Sequence, residues 1–348
     1  MNRRTWTLVV SALLVAVFGL LGAFVKVPYV ALGPGPTYDT LGELTLQEGS
    51  AAEEVISIGE GPEVFPPDGQ LRMTTVSVTT ELSLFGALGL WGSGRYALAP
   101  EEEFYPPDRT QEDVENENRQ AFETSQTSAE SAALRHLGYP TFVSVGQVVA
   151  DGPSDGVLEP GDRILSVHGT ETVDDRQVQN SLTETAPGDE VRVVVSRDGE
   201  ERTETVTLGA NEGRSHGFLG IVPVTEPEVD FDIDIELSEV GGPSAGLIFA
   251  LAIVDKLEDG DLTGGATVAG TGEITSDGRV GPIGGIQFKM RAAREEGATV
   301  FLVPADNCVE AVPHAPDGLR LVRVETLAGA VDSLESLADG GDDAPTCG

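Results

Sequence analysis

Lysine is almost missing from this chain. Lys26, Lys256 and Lys289 are the only three in 348 residues. Basic residues number 21 against 58 acidic ones, a formal net charge of -37. Such a surface repels phosphate backbones, which excludes nucleic acid as a partner and fits solubility or a salty, ion-rich exterior. No GxxxxGK[ST] loop occurs, so none of the lysines stands in a phosphate-binding turn of that kind. Histidine appears four times, at scattered positions. Cysteine appears twice, as Cys308 and Cys347, without metal-ligand spacing. The two can pair in an oxidising compartment or remain free thiols. Neither a metal nor another cofactor is expected.

Long apolar runs are also scarce, with one exception. Thr5–Val25 holds no charged residue and is almost wholly apolar. Its 21 residues, at about 1.5 Å each, match a bilayer core of about 30 Å. Arg3 and Arg4 precede the run, which places the N-terminus in the cytoplasm and the bulk of the chain outside. A cleaved signal peptide would have a shorter apolar region and a small-x-small site, and Leu20–Tyr29 offers no clean one. The expectation is an uncleaved, single-pass anchor in the cell membrane over residues 5–25.

Residues 32–69 are rich in Gly, Pro and acids and predict loops with short strands. Leu71–Thr80 is rich in β-branched residues and predicts a strand. Residues 93–112 read as irregular. Gln111–Leu137 lacks Gly and Pro and predicts one long helix ending at Gly138. Strands are then expected at Phe142–Val149 and Arg163–Val167, and a helix at Asp175–Glu184. A hairpin is expected around Arg197-Asp198-Gly199-Glu200. Val229 to Leu237 alternates apolar residues with acids, the pattern of a half-buried strand. Ser244–Leu257 is apolar nearly all round and predicts a buried helix stopped by Gly260. Strands at 299–303 and 319–324 and helices at 285–296 and 326–338 complete an α+β unit.

The chemistry concentrates in two glycine turns. Gly241-Gly242-Pro243-Ser244-Ala245-Gly246 sets a serine at the mouth of the buried helix, among small residues that let a substrate backbone approach. Backbone N–H groups at a helix start can stabilise an oxyanion. A serine hydroxyl needs a base. Lys256 lies twelve residues along the same helix, too far to reach back. Lys289 follows Gly284-Gly285-Ile286-Gln287-Phe288, and its apolar neighbours could keep it dry. Burial lowers a lysine's pKa, so the amine could accept the serine proton and return it to a leaving amine.

Three blocks, GGPSAG at 241–246, GTGEIT at 270–275 and GPIGGIQFK at 281–289, resemble in order and spacing the proteolytic domain of Lon peptidases. The resemblance implies Ser244 as nucleophile, Lys289 as its base and Thr271 as a residue that positions the amine. Gly242, Pro243, Ala245 and Gly285 form the supporting turns. One departure stands out: ATP-dependent members often carry an acid three positions before the serine, and Gly241 stands there. No ATP-hydrolysing motor is recognisable. Residues 140–209, with LEPGDRILSVHG at their heart, resemble a PDZ domain of the bacterial exported type. Such domains bind extended chain ends by strand addition. No carboxylate-binding loop stands just before Phe142, and Gly217-Phe218-Leu219-Gly220-Ile221, which looks like one, follows the module. The whole is similar to short, anchored PDZ–Lon proteins of bacterial envelopes.

The expected organisation is therefore an anchor at 5–25, an N-terminal part of the peptidase region at 32–137 and an inserted PDZ-like module at 138–222. The catalytic region at 223–339 and an acidic tail at 340–348 follow. The resemblance implies an ATP-independent serine endopeptidase acting on envelope or extracytoplasmic proteins, with protein or peptide substrates and possible homo-oligomers. Two other functions compete. A silent peptidase fold with a PDZ module could act as a membrane scaffold. Gly242-Pro243-Ser244-Ala245-Gly246 also fits GxSxG, with Asp306 and His314 as partners in an α/β-hydrolase.

Overall fold

The structure is a computed structural model describing residues 3–44, 52–211, 213, 215–237 and 240–348. Positions 45–51, 212, 214 and 238–239 of the expected regions lie outside the described residues. Helix α1, Arg3–Phe24, carries the uncharged run. Its Trp6–Phe24 segment has a mean hydropathy of 2.5 and is almost entirely exposed.

A six-stranded mixed sheet forms the body of the chain. Its spatial order is Arg320–Val324, Val300–Pro304, Thr267–Gly270, Gln70–Thr79, Tyr29–Asp39, Ala97–Pro100. The first four strands run parallel. The last two join antiparallel. Strands Gln70–Thr79 and Thr267–Gly270, far apart in sequence, are thus neighbours in space. The 11-residue strand Tyr29–Asp39 corrects the expectation of loops from residue 32. Its Gly33-Pro34-Gly35-Pro36 reads as loop but sits beside a register shift between Pro34 and Thr37. A bulge tolerates proline because no ladder N–H is needed there. A Cβ at Gly33 would stand 2.3 Å from the Tyr96 ring, so glycine admits a close cross-strand contact. Likewise Ala97–Pro100 is an edge strand, where an irregular stretch was expected.

Helix α2, Leu84–Gly92, starts at the Ser83 cap, whose hydroxyl accepts from Gly86 N. Helix α3, Gln111–His136, opens on a Thr110–Asp113 capping box. It buries Phe122, Ser125, Ala129 and Ala132 toward the core. The expected strand over 229–237 shrinks to Ile233–Ile235, outside the main sheet. Among the described residues its ladder partner is the three-residue strand Ile56–Ile58. The predicted alternation survives: the acids from Asp230 to Glu236 are exposed, and the apolar residues between them are half-buried.

A second sheet holds Glu200–Thr207, Glu190–Arg197, Arg163–Val167, Thr141–Val148 and Ile221–Pro227 in that spatial order. Its own core includes Val143, Ile164, Val191 and Val193. Asp198 and Gly199 both take positive φ in the two-residue hairpin turn. The Pro160-Gly161-Asp162 turn is locked from within. Asp162 accepts from Glu159 N and from two guanidinium nitrogens of Arg197, at 2.6 and 2.7 Å. Strand Ile221–Pro227 continues past the expected boundary at 222 and pairs along Thr141–Val148. Helix α4, Asp175–Asn180, is shorter than expected. Ser181 and Thr183 hydroxyls donate to Val178 O and Asn180 O, competing with helix continuation.

Helix α5, Gly246–Leu257, is buried on every side from Gly246 to Lys256. Phe249, fully buried, meets the Phe122 ring of α3 edge-on at 5.7 Å. Helix α6, Ile286–Glu295, follows the left-handed Gly285. Cys308 and Cys347 are disulfide-bonded, tying the C-terminal tail to the short helix Cys308–Ala311. Phe249→Ala is expected to lower unfolding free energy by about 3–5 kcal/mol, since a large core ring leaves a cavity between α3 and α5. Thermal or denaturant unfolding of the full chain reads this, and a loss below about 1 kcal/mol would contradict the packing described.

Candidate active site

Ser244 sits in the turn before α5, and the turn is held from three sides. Gly242 has φ +85°, a conformation that glycine adopts without strain. Its N–H donates to Asn118 O at 2.9 Å. The Ser125 hydroxyl of α3 donates to Pro243 O at 2.9 Å. A Cβ at Gly246 would meet Ser125 Oγ at 2.7 Å and Ile274 Cγ2 at 2.8 Å, so the helix mouth is tight against both neighbours. Ala245 is buried and begins α5. The Ser244 carbonyl accepts from Gly272 N at 2.9 Å and from the Thr271 hydroxyl at 2.8 Å.

Lys289 comes from α6. Gly285 turns the chain into that helix with φ +71°, against Val76 of strand Gln70–Thr79. The lysine is 3% exposed, and Thr271 is fully buried. Its Nζ lies 2.7 Å from Ser244 Oγ, 3.0 Å from Thr74 O and 3.1 Å from Thr271 Oγ1. Burial pushes the amine down from its ordinary value near 10.5 to about 8.

The protons can be assigned from these contacts. Thr74 O can only accept, so it takes one N–H of the amine. The single Thr271 hydroxyl proton goes to the Ser244 carbonyl, so Thr271 Oγ1 accepts a second N–H. A neutral amine has two N–H bonds and one lone pair. With both N–H bonds engaged, the lone pair faces Ser244 Oγ, which then donates to it. Protonated, the amine donates to all three oxygens. The surroundings thus accommodate both states of the proton that a general base must hold.

A cleft of about 360 Å³ opens over this pair, bordered by Pro36, Tyr38, Val76, Val240 and Gly284. Ser244, Lys289, Thr271, Gly242, Pro243, Ala245 and Gly285 are therefore gathered into one place. The Thr74 carbonyl and Ser125 were not among the residues chosen from sequence. A backbone acceptor leaves no side-chain signature, and Ser125 is one of several small residues on its helix. Lys256 is buried elsewhere and pairs with Glu54 at 2.7 Å. His314 borders a different cleft, with Arg95, Gln287 and Arg294, and Asp306 is exposed. The Ser-His-Asp alternative has no support in this arrangement.

The chain is an α+β protein with one region that matches a Lon-type proteolytic domain and another that matches a PDZ domain. Residues 233–334 match the family of the Lon protease (S16) C-terminal proteolytic domain, and residues 115–208 match the PDZ domain family. The PDZ match takes in most of α3 and stops before strand Ile221–Pro227, which nonetheless completes that sheet. Lon protease 2 of Bacillus subtilis is 34% identical over 108 residues, covering 30% of this chain and 19% of that protein. Lon protease 1 of the same organism is 32% identical over 155 residues, covering 43% and 19%. The Lon protease of Heliobacterium modesticaldum is 39% identical over 112 residues, covering 31% and 14%. The chain thus spans less than a fifth of the length of these curated relatives. Among solved structures, the PDZ domain of an SdrC-like protein from Listeria monocytogenes is 23% identical with a TM-score of 0.22, covering 24% of this chain and 86% of that one. The HtrA-type protease AlgW with a decapeptide is 35% identical with a TM-score of 0.20, covering 20% and 22%.

A lowered lysine pKa has a stability signature. Between pH 8 and 10.5 the unfolded chain keeps the proton on Lys289 and the folded chain releases it. Folding stability therefore rises with pH across that window, by about 3 kcal/mol, and the burial penalty is constant below it. Wild type is expected to gain this amount over Lys289→Met between pH 8 and 10.5 in paired unfolding measurements. A pH-independent difference would show that the amine is not perturbed.

Proposed function

We propose that the protein is a membrane-anchored serine endopeptidase that cleaves extracytoplasmic protein chains through a Ser244–Lys289 dyad without ATP. The observation that carries this is the buried amine whose lone pair has only the Ser244 hydroxyl left to address. In the reaction Ser244 Oγ attacks the scissile carbonyl carbon as its proton passes to Lys289 Nζ. The oxyanion is met by backbone N–H groups at the start of α5. The ammonium then gives its proton to the departing amide nitrogen, the C–N bond breaks, and an acyl-serine ester remains. Lys289 next takes a proton from water as its oxygen adds to the ester carbonyl carbon, the bond from that carbon to Ser244 Oγ breaks, the carboxylic acid product leaves, and the ammonium returns its proton to Ser244 Oγ. Thr271 positions both partners, binding the amine and the Ser244 carbonyl with one hydroxyl.

The PDZ-like module interrupts the peptidase unit in this proposal and recruits chain ends. Supporting that role is a cleft of about 440 Å³ between α4 and Gly217-Phe218-Leu219, the segment that resembled a carboxylate loop. The segment lies inside the module, joined to it by Gly209–Phe218 backbone pairing. The module also touches the catalytic side. Asp175 accepts from the hydroxyls of Ser276 and Thr225, and Arg176 pairs with Asp277. The exposed apolar length of α1 supports the anchor.

The direct test is cleavage of an unfolded protein by purified full chain with no nucleotide present. Ser244→Ala and Lys289→Ala are each expected to lose at least about 10³-fold in kcat/KM while still unfolding in a cooperative transition, Ser244→Ala at a temperature close to wild type. Inactivity of the wild type alongside both variants would favour the scaffold. In the active enzyme, kcat/KM should rise with pH through about 8, as the amine loses its proton, and level off above it. A rate already flat from pH 6 would remove Lys289 from the role of base.

A further inference from the structure

Helix α2 has two apolar faces. Ala87 and Leu90 pack inward, on Ala31 and Leu98 of the main sheet. Leu84, Phe85, Leu88 and Trp91 point outward and are 44–62% exposed. Their spacing, at 84, 88 and 91 with 85 beside them, is one helical face. A contiguous patch of this kind is unusual on a water-soluble surface. In a chain where acids outnumber bases by 58 to 21, no acidic residue occurs from Leu82 to Pro100. A cationic group stands near the end of the helix, and the adjoining strand begins on an exposed aromatic ring. Tyr29 is exposed at the start of its strand, and Arg291 donates to Gly94 O just beyond the helix.

The position of α2 says what covers it. Its start is fastened to the end of α1: Val27 N donates to Leu82 O at 2.8 Å, and Lys26 bridges Ser83. The Phe85 ring lies against Gly22, where a Cβ would stand 2.6 Å from it. Gly22 is three residues inside the end of the uncharged run at Val25, about 4–5 Å at helical rise. Phe85 is therefore level with the last turn of the apolar span, not with the solvent beyond it.

We propose that α2 is a second membrane contact, its Leu84, Phe85, Leu88 and Trp91 face lying in the outer interface of the bilayer that α1 crosses. The inference rests on the reading of α1 as a membrane span. An uncharged apolar surface that carries a tryptophan fits that interface. The consequence concerns substrate. Strand Tyr29–Asp39 leads from this edge to Pro36 and Tyr38, which border the Ser244 cleft. Seven to nine residues at about 3.3 Å each set the cleft no more than about 30 Å from the membrane surface. The peptidase is thereby held against chain segments just outside the bilayer, such as those of other membrane proteins.

The chain's two tryptophans, Trp6 and Trp91, make this measurable in the full-length protein. Trp6→Phe leaves Trp91 as the sole emitter, and Trp91→Phe leaves Trp6. Each variant is reconstituted into phosphatidylcholine vesicles with and without phospholipid brominated near the top of the acyl chains. The proposal expects at least a twofold loss of Trp91 emission in brominated vesicles, abolished when Leu84→Glu and Leu88→Glu are added to Trp6→Phe. Quenching of Trp6 with Trp91 untouched would leave the anchor and overturn the docking of α2. Quenching of Trp91 alone would keep the docking and remove the span. Quenching of neither would overturn both. A blue-shifted Trp91 that bromine does not quench would assign the face to a second copy of the chain, and the proposal would fail.

Discussion

A lysine amine kept from water between a strand carbonyl and two hydroxyls is the feature on which the candidate site depends. The elements that meet there are distant in sequence. Thr74 belongs to a central strand, Thr271 follows its parallel neighbour, Ser244 precedes α5, and Lys289 lies on α6. Only the pairing of Gln70–Thr79 with Thr267–Gly270 brings Thr74 and Thr271 side by side, and Thr74 Oγ1 donates to Gly270 O to hold that register. Helix α3 then braces the serine turn through Ser125 and the core through Phe122. Loss of the sheet register would expose the amine to water and restore an ordinary lysine.

The second sheet is not merely tethered to the first. Ser131 of α3 donates to Thr225 O at 2.7 Å, and Arg135 pairs with Asp174 at 2.9 Å. On the other side, Asp175 and Arg176 engage Ser276 and Asp277 in the hairpin that follows Thr271. The short helix that borders the PDZ-like cleft is therefore bonded both to the helix bracing Ser244 and to the loop after Thr271. These contacts are polar and partly buried, which favours one relative placement of the two units over a range of loosely hinged ones.

Much of this was legible from residue patterns. The glycine turns around Ser244 and before Lys289, the long helix over Gln111–His136 and the hairpin at Asp198-Gly199 all announce themselves through local chemistry. What could not be read locally depends on tertiary partners. Gly33-Pro34-Gly35-Pro36 has the composition of a loop, and becomes a strand because a bulge and the Tyr96 ring accept it. The alternation from Val229 to Leu237 correctly predicts which residues are shielded, yet ladder length is set by Ile56–Ile58. Gly217–Ile221 looked external to the PDZ-like module because the strand it introduces pairs back with Thr141–Val148, a link no local pattern reveals. Thr74 contributes a carbonyl, which any residue type would supply.

Charge explains why the amine can stay perturbed in so acidic a chain. A carboxylate within about 4–6 Å would favour the ammonium and raise the pKa that burial lowers. Among the described residues bordering the Ser244 cleft, none is acidic. Gly241 occupies the position three before the serine, where ATP-dependent Lon peptidases often hold an acid, and it packs close to Asn118. The 58 acidic residues act instead from greater distances, where salt screens them over about 8–10 Å. Lysine is reserved in the same way. Two of the three are buried, one on Glu54 and one beside Ser244, while Lys26 stays exposed. The negative surface and the perturbed amine are compatible because Lys289 is buried beneath the cleft, where Thr74, Thr271 and Ser244 supply its contacts and no described carboxylate borders the opening.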